Sequence, residues 1–152
     1  MKNFLTLLIV IMSCGTFAGT DEEFRERLKF LYGESDIYES FFYELKNALV
    51  AKDIGKVANF NEYPIRVNFD GDTKYYKNKN EFIKNYKNII TSEMLERVEK
   101  QTFGDLFANS YGMHIGLGDI WFTGYCIGGD PEDPCKKVKI NVTSYNVIHV
   151  KK

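Results

Sequence analysis

The chain has 152 residues, with 21 acidic and 20 basic side chains and a formal net charge of -1. This balance gives no electrostatic footprint for a nucleic-acid backbone. At 44% apolar and 27% charged residues the composition is that of a folded domain rather than a disordered tail.

The N-terminus carries the first readable element. Lys2 precedes an apolar run from Phe4 to Met12, followed by the small-residue segment Ser13-Cys14-Gly15-Thr16-Phe17-Ala18-Gly19. The run falls well short of the roughly 20 residues a spanning helix requires, and its flanks are those of a bacterial-type export signal. Residues 1–18 are therefore expected to be a cleaved signal peptide, with Thr16 and Ala18 as the small residues that signal peptidase I reads. Residues 19–152 are then one domain, working in the periplasm or otherwise outside the cytoplasm. The alternative is a lipoprotein. Ile11-Met12-Ser13-Cys14 resembles a lipobox that would anchor the chain at Cys14, although Met12 departs from that pattern.

Helices come next. Asp21 to Tyr32 places Phe24, Leu28 and Leu31 at helical spacing and stops at Gly33, a residue suited to the left-handed C-terminal position. Asp36 with Glu39 predicts a capping box for a second helix whose apolar face is Tyr38, Phe41, Phe42, Leu45 and Leu49. A short helix is expected over residues 53–60, ended by Tyr63-Pro64.

Ile65 to Phe69 alternates as a strand, Asp70-Gly71 supplies a turn, and Thr73 to Lys77 returns as its partner. The run Lys74-Tyr75-Tyr76-Lys77-Asn78-Lys79 interleaves cations with aromatics, but its pattern reads as a hairpin arm with solvated lysines, not as a nucleic-acid site. Asn80 is expected to cap a helix burying Phe82, Ile83, Tyr86, Ile89 and Ile90. Ser92 to Gln101 forms a shorter one through Met94, Leu95 and Val98.

The last third reads as strands over residues 105–110, 112–116, 120–126 and 137–145. In the last, Val138, Ile140 and Val142 alternate with Lys137, Lys139, Asn141 and Thr143. Cys126 and Cys135 remain as an even pair after the signal, and in an oxidising compartment they are expected to form a structural disulfide. They lack the Cys-x-x-Cys spacing of a redox pair. The bridged segment, residues 127–134, is acidic and proline-stiffened and is expected to be a solvated loop. This element order predicts an α+β domain, with helices packed on one face of a strongly curved antiparallel sheet.

Tyr63-Pro64-Ile65-Arg66-Val67, Glu81-Phe82 with Tyr86 and Ile89, Phe107, and Gly112-Met113-His114-Ile115-Gly116-Leu117-Gly118-Asp119-Ile120-Trp121-Phe122 together resemble small exported bacterial proteins of the nuclear transport factor 2-like superfamily. The resemblance covers most of residues 36–145 and rests on fold determinants. It implies a cone, a bent sheet wrapped around helices, often with a pocket at the wide end and often dimeric through the outer sheet face. Some members are isomerases, dehydratases or cyclases, while many bind ligands or proteins, so the fold does not choose among them.

Candidate chemistry is sparse. His114 and His149 stand at no metal-ligand spacing, so neither a metal nor a cofactor is expected. Alternation puts Met113 and Ile115 inward and His114 on the opposite face, where it is expected to be non-catalytic. Asp119 follows Gly116-Leu117-Gly118 and is expected to close a tight turn; the sharper reading makes it a pocket carboxylate beside Tyr111. Alternation also puts Trp121 and Tyr125 opposite Ile120 and Phe122, so both faces of that strand carry large apolar groups. Trp121 and Tyr125 are interface candidates, for a homodimer or a different partner, unless the rest of the chain covers them.

The expected role is that of an exported, non-catalytic binding protein. It would hold a small hydrophobic ligand in the cone or bind an envelope protein, as an inhibitor or immunity-type factor does. The alternative is a cofactor-free isomerase, dehydratase or hydrolase using Tyr111, His114 or Asp119, which requires one of them buried with a second polar group in hydrogen-bond reach.

Overall fold

The computed structural model describes residues 19–130, 132 and 135–148. The expected signal segment with Thr16, Ala18 and Cys14, the loop residues Pro131, Asp133 and Pro134, and His149 lie outside the described residues.

Helix α1 (Asp21–Tyr32) starts with a full capping box: Thr20 accepts from the Glu23 N–H and the Glu23 carboxylate accepts from the Thr20 N–H. It ends at Gly33, in the left-handed conformation at φ 83°, whose N–H returns to the Lys29 carbonyl. Helix α2 (Asp36–Val50) corrects an expectation. Asp36 and Glu39 have capping-box spacing, but the helix starts from Ser35 without a side-chain cap bond, and Glu39 instead takes a two-pronged ion pair from Arg25 at 2.8 Å. A cross-helix guanidinium in reach outweighs a local cap.

Helix α3 (Ile54–Asn59) is capped by Asp53. Helix α4 (Lys79–Ile89) is capped by Asn78, not Asn80, because Asn78 accepts from the Glu81 N–H. Helix α5 (Ser92–Lys100) is capped by Thr91. No helix among the described residues is long and apolar enough to cross a membrane.

The strands are β1 (Asn61–Phe69), β2 (Asp72–Tyr76), β3 (Phe107–Asn109), β4 (Gly112–Ile115), β5 (Ile120–Ile127) and β6 (Lys137–Val147). They form one sheet in the order β2-β1-β6-β5-β4-β3. The β1–β2 hairpin turns at Asp70-Gly71, both with positive φ, as the sequence predicts. The fold is α+β with an open sheet, but the sheet is mixed, not antiparallel: β6 lies parallel to β1 and antiparallel to β5. The long intervening chain, with two helices and four strands, provides the crossover that a parallel pair requires.

Helices and sheet meet over a single apolar core. Leu28, Phe42, Leu45, Leu49, Phe82, Ile89, Met94 and Val98 from the helices pack with Ile65, Val67, Met113, Ile115, Ile120, Phe122, Val142 and Tyr145 from the sheet, all fully buried. Burying each such side chain contributes about 1.5–3 kcal/mol, which makes this layer the main source of stability. Tyr145 keeps its hydroxyl satisfied inside the layer by donating to Asn61 Oδ1 at 2.7 Å.

A bulge decides which residues of β6 face this core. Trp121 pairs with Ser144 but Phe122 pairs with Val142, so Thr143 is an extra residue on β6. Val142 and Tyr145 are consequently both buried in the core, whereas strict alternation would have sent Ser144 inward instead.

Cys126 and Cys135 form the expected disulfide, with Cα atoms 5.0 Å apart, across the end of the β5–β6 hairpin. Reduction should lower stability by about 2–3 kcal/mol through freedom regained by the unfolded chain. Urea unfolding with and without a reductant measures this; coincident midpoints would contradict a stabilising role.

Candidate functional site

The side of the sheet away from the core carries a continuous row of paired residues, one from each strand. Phe107 pairs with His114, His114 with Trp121, Trp121 with Ser144, Ser144 with Arg66 and Arg66 with Tyr75. Period-2 alternation produces it: Met113 and Ile115 flank His114 and are fully buried, Ile120 and Phe122 do the same around Trp121, and Ile65 and Val67 around Arg66. The inward pair Met113 and Ile115 was legible in the sequence.

At one end of the row three rings are in contact. The Phe107 and His114 rings stack at a centroid distance of 4.7 Å, and His114 and Trp121 are also 4.7 Å apart. Such cross-strand aromatic pairs stabilise a sheet by about 0.2–1 kcal/mol each. They do not cover the face, since Phe107 remains 41% exposed and Trp121 is half-buried.

Beside the rings, Ser144 is almost fully buried, and its small side chain leaves a depression of about 340 Å³. Trp121 and Arg66 wall it, with Thr143, Asn109 and Tyr111 around the rim. Tyr111 is 84% exposed in the β3–β4 turn, where its N–H donates to Asn109 Oδ1. Arg66 is exposed and has no hydrogen-bond or ion-pair partner among the described residues. Neither the row nor the depression contains a carboxylate.

Three of the residues singled out in the sequence thus meet on this face: Tyr111, His114 and Trp121. Tyr125 does not join them; it lies farther along β5, opposite Lys139. Arg66, Ser144, Thr143, Asn109 and Phe107 were missed. Alternation alone marks Arg66 as outward, but only the parallel β1–β6 pairing and the Thr143 bulge bring it beside Trp121.

Asp119 is placed elsewhere. It is fully buried in the β4–β5 turn, where both oxygens accept from Arg97 of α5, at 2.7 Å from Nε and 2.6 Å from Nη2. The Leu117 N–H donates to the same carboxylate at 3.2 Å. Gly116, at φ 66°, passes so close that a Cβ there would collide with the Asp119 carboxylate. The turn reading of Asp119 agrees with this placement, and its partner Arg97, which raises no local sequence signal, was missed. The Arg97 guanidinium is held further toward its charged form by those hydrogen bonds. The geometry joins Asp119 to Arg97 and not to Tyr111.

His114 Nδ1 is buried without a hydrogen-bond partner among the described residues, and burial pushes the imidazole pKa below its ordinary 6.5. The folded state therefore binds fewer protons than the unfolded chain just below that value. Stability contributed by neutral His114 should be complete above pH 6.5 and decline as pH falls from there. The urea midpoint of the native chain should fall relative to that of His114→Phe as the pH drops from 7 to 5; parallel curves would contradict the shift.

Among the described residues no group of three or more His, Cys, Asp or Glu gathers as a metal site. Compared with known proteins, the chain matches no family model, no curated protein and no solved structure.

Proposed function

We propose that this is an exported binding protein with a nuclear transport factor 2-like cone, which docks an acidic segment of another extracytoplasmic protein on the outer face of its sheet. The observation that carries this reading is the row Phe107-His114-Trp121-Ser144-Arg66: half-exposed rings and an unpaired guanidinium around a depression with no acid of its own.

Aromatic residues and arginine are the side chains most enriched at the energetic centres of interfaces. The charge pattern favours a different protein over a second copy. A two-fold homodimer would set this patch against itself, supplying no carboxylate for Arg66, whereas an acidic partner gives it one. The packed helix–sheet layer supports protein docking over a ligand held inside the cone, since Tyr145, Phe42, Phe82 and Phe122 fill that space. An inhibitor or immunity-type role is the form such docking takes when the partner is an enzyme or toxin of the envelope. Copurification of a partner that is lost in Trp121→Ala and Arg66→Glu tests the reading.

A further inference from the structure

A second concavity lies in the helical layer, across the core from the outer sheet face. It holds about 430 Å³, within the range of small-molecule sites, between the start of α3, the end of α4 and the start of α5. Ile54, Ile90 and Leu95 give it an apolar surface. Lys52 and Lys87 stand at its edge, and Thr91 and Ser92 begin α5 beside them.

The charged side chains that line the notch are both cations, while the nearest carboxylates, Asp53 at the α3 cap and Glu93 beside Ser92, lie outside its lining. No carboxylate lines the notch, and the Lys52 and Lys87 side chains have no hydrogen-bond or ion-pair partner among the described residues. Glu96 and Glu99 line a neighbouring depression that shares Lys52, Ser92 and Leu95. The positive end of the α5 dipole adds to the same field, with Glu93 in its first turn acting against it. Tyr86, only 6% exposed, forms part of the wall, and its hydroxyl is buried with no hydrogen-bond partner among the described residues. Native proteins rarely leave such a group unpaired, and burial, with Asp53 acting on it in second place, holds the hydroxyl in its neutral form.

We propose that this notch binds an amphipathic monocarboxylate, with its apolar body on Ile54, Ile90 and Leu95 and its carboxylate between the Lys52 and Lys87 ammonium groups. Two separated cations over an apolar surface match one anionic head on a hydrocarbon body. A neutral hydrocarbon leaves both lysines unengaged. The site is independent of the outer-face row, so either can fail without the other.

Titration of the purified chain with octanoate, followed by amide NMR, tests this. The expected result is saturable shifts centred on Ile54, Ile90 and Leu95, with octanol binding about tenfold more weakly and Lys87→Gln weakening octanoate by a similar factor. Lys87 is exposed, so that variant keeps the fold. Leu95→Glu, which puts a like charge on the apolar surface, should abolish the shifts while the remaining spectrum stays native. Equal affinity for octanol and octanoate, unchanged affinity in Lys87→Gln, or shifts centred on Phe107 and Trp121 would overturn the proposal.

Discussion

Replacing Arg97 with alanine should lower folding stability by about 3–5 kcal/mol, read as a shift of the urea midpoint with an unchanged slope. The reason is what remains. Asp119 is fully buried, and without Arg97 its carboxylate keeps, among the described residues, only the 3.2 Å bond from the Leu117 N–H. A buried ion left without its counterion costs far more than the pair contributed.

The damage would spread through the backbone that Asp119 organises. Its N–H donates to the Ile115 carbonyl, and its carbonyl accepts from the Asn146 N–H, so this one residue joins the β4–β5 turn to β6. Arg97→Lys should recover part of the loss, since an ammonium restores charge but not the two-pronged geometry. The double variant Arg97→Met, Asp119→Ala should be no less stable than Arg97→Ala alone, because the charge leaves with its partner. A loss below about 1 kcal/mol in Arg97→Ala would show that the pair is not the turn's main support.

Trp121→Ala should weaken partner binding by at least about 2 kcal/mol, roughly 30-fold, while leaving the chain folded. Its ring lies between His114 at 4.7 Å and the depression that it walls with Arg66. Truncation removes the largest apolar surface of the row and frees the His114 ring on that side. Because Trp121 lies on the face away from the core, the packed layer of Phe122, Ile120 and Tyr145 is retained.

Two companion variants separate this site from a general surface effect. Tyr125→Ala, on the same strand but outside the row, should bind normally. Arg66→Glu should reduce binding at least as much as Trp121→Ala, since it places a carboxylate against an acidic partner. Binding measured by calorimetry on the copurified partner checks all three. Loss in Tyr125→Ala equal to that in Trp121→Ala would move the site along β5.

What the sequence disclosed depended on distance along the chain. The period of Phe24 and Leu28, the left-handed stop at Gly33 and the Asp70-Gly71 hairpin are local, and each appears in the structure where the pattern places it. The inward facing of Met113 and Ile115 is local too, and so is the cysteine pairing once the count is even. Capping was only half legible. Thr20 and Glu23 form the box that Asp36 and Glu39 also have the spacing to make, but Arg25 diverts Glu39.

The candidate site was legible as parts, not as a place. Trp121 and His114 were visible as outward residues and Tyr111 only as a candidate pocket hydroxyl, but nothing near them in sequence shows that Arg66 lies in the same row. That fact needs the parallel β1–β6 pairing, and its register needs the extra residue Thr143. Arg97 and Asp119 are 22 residues apart and meet only because α5 packs against the β4–β5 turn. Pairings closed late by tertiary packing leave no periodic trace.

The most direct test is native mass spectrometry of the protein purified gently from its source cells, with the native chain and Trp121→Ala prepared in parallel. A discrete protein adduct on the native chain, absent from the variant, is the expected result. A native chain that carries only a guest of a few hundred daltons, retained equally by Trp121→Ala, would contradict docking on the outer face.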